Sequence, residues 1–87
     1  MTLETTIRIW REGAQYVAHA MPIDVSSAGP TPQAGRAAVR EAVELFIATA
    51  REHGTMQEVL EECGYVANGD RYNAPAIIEH QQDLLAV

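Results

Sequence analysis

Eighty-seven residues, 47% of them apolar, form one small domain whose core is expected to lean on tight packing or on a second chain. The formal charge of −6, from 12 acidic against 6 basic residues and no lysine, opposes the phosphate contacts on which nucleic-acid affinity rests. No apolar run approaches the roughly 20 residues that span a bilayer, and "MTLETTIRIW" lacks the blocks of a secretion signal, so a soluble, cytoplasmic chain touching neither membrane nor nucleic acid is expected.

From Leu3 to Glu12 the chain alternates, with Leu3, Thr5, Ile7 and Ile9 on one side and Thr6, Arg8 and Trp10 on the other, the pattern of a strand with one dry face. Gly13 supplies the positive φ of a tight hairpin, and "QYVAHAM" resumes as an antiparallel partner. Pro22 interrupts, and "IDVSS" predicts a third strand with Ile23 and Val25 on one face. "GPTPQAG" reads as a helix start, with Thr31 capping and Pro32 in the first turn. The helix that follows runs to His53, with apolar residues at 38, 39, 42, 45 and 46 flanked by Val43 and Ile47 as the sheet-facing side. Gly35 in its first turn costs about 1 kcal/mol of propensity relative to Ala, which marks either a close backbone approach or an unoptimised site; the second is the reading favoured.

Gly54 is expected as a left-handed C-cap, and "TMQE" as a capping box, Thr55 to Glu58, opening a short helix. That helix turns Met56, Val59, Leu60 and Cys63 inward and stops at Gly64. Asn68-Gly69 marks a tight turn, with flanking arms too short and polar to require a hairpin. "APAIIEHQQDLLAV" predicts a fourth strand at the C-terminus. The whole is an α+β domain: a three-stranded antiparallel sheet plus a C-terminal strand, packed on one long helix.

Residues with chemical potential are dispersed. His19, His53 and His80 share no helical i, i+4 spacing, and no metal or cofactor is expected. Cys63 stands between glutamates and apolar residues, a setting for a core thiol rather than a nucleophile, and has no second cysteine to pair with. Ser26 and Ser27 have no activating histidine in local sequence, and the glycines fit neither phosphate-loop pattern. Arg8, Trp10, Val17 and His19 lie on the sheet side that a helix packed on Ile7, Ile9, Tyr16 and Ala18 leaves open, which makes them the candidate partner-binding residues.

The stretch Tyr16 to Ile47, "YVAHAMPIDVSSAGPTPQAGRAAVREAVELFI", resembles the core signature of the HicB-like antitoxins. Tyr16 and Ala18 match the second strand, Pro22 the bend, Ile23-Asp24-Val25 the third strand, Ser27, Gly29 and Thr31 the junction, and Glu41-Ala42 with Leu45-Phe46 the helix core. "TMQEVLEECGY" is similar to the family's second helix, so the likeness covers Ile7 to about Tyr72. Gln33-Ala34-Gly35 replaces an acidic pair found in many members, and Ala38 stands where an asparagine is frequent.

The resemblance implies a partly degraded RNase H-like fold. It also implies the antitoxin half of a toxin–antitoxin pair, a non-enzymatic protein that covers the active face of a small basic HicA-type RNA-cleaving toxin. An acidic chain suits that partner. The dozen residues after Pro75 are too few and too acidic for the DNA-binding module many members carry, so a stand-alone form is expected. Two other readings compete. One is an oligomeric domain without a surviving toxin, a homodimer or larger, its copies meeting through Ile78, Leu84 and Leu85 of the C-terminal strand. The other is a vestigial RNase H-like enzyme, for which the first two strands offer only Glu4 and Glu12.

Overall fold

Alternation in the first half and 3.6-residue periodicity after it set the element order, which a computed structural model describes for residues 1–87. The strands are β1 (Thr2–Leu3), β2 (Thr6–Glu12), β3 (Gln15–Met21) and β4 (Val25–Gly29); the helices α1 (Pro32–Glu52) and α2 (Met56–Glu62) follow, then β5 (Val66–Asn68) and β6 (Arg71–Asn73). β2, β3 and β4 form an antiparallel sheet in chain order, and β1, β6 and β5 form a second, smaller one. The fold is the expected α+β arrangement of a three-stranded antiparallel sheet on one long helix, with further short strands beside it. No helix is long and apolar enough to cross a membrane.

The β2–β3 loop is two residues long, and Gly13 there takes φ 59, as the hairpin requires. α1 begins as its residues dictate: Thr31 Oγ1 accepts the Ala34 N–H at 3.0 Å, and Pro32 occupies the first turn. It ends with His53 as C-cap and Gly54 at φ 70. α2 buries Leu60 and half-buries Met56, Val59 and Cys63, the face expected of it.

Several expectations are corrected by the structure. The single strand from Leu3 to Glu12 is broken at Glu4-Thr5. There β1 leaves to pair in parallel with β6, and the Glu4 carboxylate accepts from Arg71 Nη2 at 3.1 Å and from the Ala74 N–H at 2.8 Å. The third strand starts at Val25 rather than Ile23, because Asp24 adopts φ 63 and Ile23 turns into the core. Asn68 and Arg71 pair across Gly69-Asp70, so the turn does close a short hairpin. The fourth strand predicted over 75–87 is absent. That segment has no regular structure, and the extra pairing is made earlier in the chain, by β5 and β6. Thr55 closes no capping box; its hydroxyl donates back to the Ala50 carbonyl at 3.3 Å, satisfying the end of α1 instead of the start of α2.

The core consists of Ala18, Ala20, Ile23, Val39, Ile47, Leu60 and Tyr65. The buried stripe of α1 runs through Gly35, Val39, Ile47 and Ala50, rotated away from the expected face, so that Leu45 is 69% exposed and Phe46 lies at the margin. Gly35 explains the rotation and is not an unoptimised site: a Cβ there would stand 2.8 Å from the Tyr16 carbonyl oxygen and 3.8 Å from Ala18 Cβ. Helix and strand backbones approach too closely for any side chain. Ala18 and Ala20 on β3 allow the same approach from the sheet side.

Candidate functional site

α1 lies over β3 and β4 and touches β2 only lightly, so one face of the antiparallel sheet is covered and the other is bare. Strand alternation assigns Ile7, Ile9, Ala18, Ala20 and Val25 to the covered side and Arg8, Trp10, Val17, His19 and Met21 to the bare one. The register then fixes neighbours: Arg8 stands opposite His19, Trp10 opposite Val17, and on β4 Ser26 opposite His19 and Ala28 opposite Val17. All four candidate residues are therefore brought onto one surface. Ser26 and Ala28 are short, which leaves Trp10 standing above the β4 side of the platform.

Trp10 and His19 meet edge to face, with ring centroids 6.3 Å apart and planes at 70°. His19 Nε2 lies 2.6 Å from Asp24 Oδ1, a bond created by the turn that holds Asp24 at positive φ. The indole is thus braced by an imidazole that is itself tied to the β3–β4 turn. Trp10 and Met21 each remain 40% exposed. Met21 was legible from its alternation with Val17 and His19, whereas Asp24 joins the patch only through the turn, which no local pattern encodes. Ser26 makes no hydrogen bond to His19, and the Ser26, His19 and Asp24 side chains are strung along an open surface rather than set in a cleft.

Chemistry elsewhere is sparse. No three His, Cys, Asp or Glu side chains stand close enough together to hold a metal ion. Cys63 is half-buried, its Sγ 4.0 Å from the Ile23 carbonyl; burial first, then the charges of Glu62 and Asp24, push its thiol upward and keep it protonated. The Tyr65 phenol is buried without a hydrogen-bond partner, and burial, followed by Cys63 and Glu4, pushes it up to about 12. A shallow groove of about 330 Å³ runs between Met1 and Leu3 and the Val43, Ile47 and Arg51 side of α1. Ile78, Leu84 and Leu85 are not gathered into any surface; they lie 95%, 96% and 77% exposed on the C-terminal segment.

Charge is divided unequally. Residues 1–52 carry six acidic and five basic side chains, whereas residues 53–87 carry six acidic ones against Arg71 alone. The acidic excess is therefore concentrated in α2, with Glu58, Glu61 and Glu62, and in the segment after it, not on the bare sheet face. Cys63, at the end of α2, reaches the Ile23 carbonyl in the turn that leads to Asp24. Comparison of the chain with protein families, curated proteins and solved structures finds no match.

Proposed function

We propose that this protein is an antitoxin-like binding module that works in the cytoplasm and neutralises a small basic RNA-cleaving toxin of the HicA type by covering its active face. One observation carries the reading: an antiparallel sheet whose outer face presents Trp10, braced by His19 and opposite Val17, with Arg8 and Met21 on the same face and no element packed on it. Tryptophan and arginine exposed on an uncovered patch are the residue types that dominate binding energy when they are desolvated by a partner. The chain's acidic excess supplies the complementary field that speeds encounter with a basic protein. The ordered likeness from Ile7 to Tyr72 names the partner class. Occlusion, not turnover, is the mode of action: the chain contributes contact area and charge.

A second reading, a stand-alone oligomer joined through the C-terminal segment, is favoured by the near-complete exposure of Ile78, Leu84 and Leu85. The experiment that separates the two is co-expression with any short basic protein found encoded beside it. Growth rescue and a stoichiometric complex support the antitoxin reading. Trp10→Ala then weakens that complex by about 2 kcal/mol, some 30-fold in Kd, while costing stability only about 1 kcal/mol through its lost contact with His19. Absence of rescue, or a Trp10→Ala variant that binds as tightly as the wild type, refutes it.

A further inference from the structure

β2 is an edge strand. Its one partner is β3, matched residue for residue from Thr6 and Met21 to Glu12 and Gln15. Native edges are normally blunted by a proline, a bulge, an inward-pointing charge or a covering element, because unpaired N–H and C=O groups template another strand. β2 lacks a proline and a bulge, points Ile7 and Ile9 inward, and is barely reached by α1. Arg11 is the one charge on its helix-facing side; it is exposed at the hairpin end, and its Nε donates to the Gly13 carbonyl at 2.9 Å. The other edge, β4, is held under α1.

The two-residue loop closes on Glu12 and Gln15 as a hydrogen-bonded pair. Alternation therefore directs the backbone groups of Thr6, Arg8, Trp10 and Glu12 to β3 and turns those of Ile7, Ile9 and Arg11 outward. A second observation points the same way: Ile7 and Ile9 pack on the core yet stay only half-buried, because α1 reaches β2 only lightly.

We propose that β2 pairs antiparallel with β2 of a second copy about a twofold axis at Ile9, joining the two three-stranded sheets into one of six strands. Ile9 then faces its own counterpart and covers the apolar surface that α1 leaves open. Arg8 faces Trp10 of the other copy in the closer, non-hydrogen-bonded type of pair, where a guanidinium meets an indole, and this happens twice. Shifting the axis to Arg8 would set like charges opposite each other at close range, and shifting it to Trp10 would shorten the pairing to Arg8–Glu12. The chain's −6 charge does not oppose the contact, since residues 6–12 hold Arg8 and Arg11 against Glu12 and the acidic excess lies beyond residue 52. The twofold places both Trp10–His19 patches on the same side of the joined sheet. The interface uses Arg8 and Trp10, which the toxin-binding reading also uses, but its test needs no toxin, so the two proposals fail separately.

Sedimentation and light scattering over the micromolar range test it, with the emission of Trp10, the one tryptophan, as a local reporter. The expected result is a concentration-dependent dimer of twice the 9.5 kDa chain mass with a blue shift on association. Arg8→Glu is expected to raise the dimer dissociation constant about tenfold or more with unchanged circular dichroism. Arg11→Pro, which removes an outward N–H without touching the β3 ladder, acts in the same direction; should it fail to fold, Arg8→Glu decides. Leu84→Ser with Leu85→Ser leaves the dimer intact. A wild-type monomer throughout the range, an assembly larger than two, an Arg8→Glu dimer as tight as wild type, or a dimer abolished by the Leu84 and Leu85 changes overturns the proposal.

Discussion

Gly35→Ala tests how closely α1 meets the sheet. The added Cβ would lie 2.8 Å from the Tyr16 carbonyl oxygen, about half an ångström inside the roughly 3.3 Å at which a carbon rests against such an oxygen. The obstacle is backbone, not the end of a flexible side chain, so helix and strand must part and loosen Val39 against Ala18 and Ala20. Overpacking of this kind costs about 1–3 kcal/mol. The gain in helix propensity offsets about 1 kcal/mol of that. The net expectation is a loss of roughly 1 kcal/mol, up to about 2, read as a midpoint lowered by about 4–8 °C per kcal/mol in a domain of this size. Urea and thermal unfolding followed by circular dichroism provide the assay. Ala37→Gly, at an exposed position of the same helix, calibrates the propensity term. A Gly35→Ala protein stabilised by about 1 kcal/mol, the value of propensity alone, refutes the close approach.

Thr31→Ala removes the hydroxyl that caps α1 and should lower stability by about 1 kcal/mol in urea unfolding, whereas Thr31→Ser should retain most of it. Tyr65 ionises near 12 in the folded chain against about 10 when unfolded, so the unfolded state binds fewer protons between those values. Stability should therefore fall as pH rises through that window, and the fall should shrink in Tyr65→Phe; equal slopes for the two proteins would exclude the assignment. Cys63, with its thiol held protonated, should react with iodoacetamide more slowly in the native protein than in urea, and equal rates would show the thiol to be open.

The local half of the fold was legible because the signals were local. Gly13 between two alternating runs required a hairpin, Thr31-Pro32 required a helix start, and Gly54 and Gly64 required helix ends, each through the φ or hydrogen bond its residue type supplies. The same alternation placed Arg8, Trp10, Val17 and His19 on one face, since a strand's period of two leaves no choice once Ile7 and Ala18 face inward. The larger failures were of range. The strand break at Glu4 depends on Arg71 and Ala74, nearly the whole chain away. The apolar run at 75–87 promised a strand, but a strand needs an edge to pair with, and composition does not say whether one is offered.

The sequence by itself determined what each segment can be: three short strands in succession, a long capped helix, a short acidic one and an apolar end. Tertiary structure alone decided which side of each segment is used. The rotation of α1 that leaves Leu45 outside follows from Gly35 seated on the Tyr16 carbonyl, and the tie from His19 to Asp24 follows from a turn whose shape the core residue Ile23 imposes. Residue type limits the backbone conformations open to a segment, whereas the choice among faces is made by whichever surfaces can approach most closely, a property of two segments together and of neither alone.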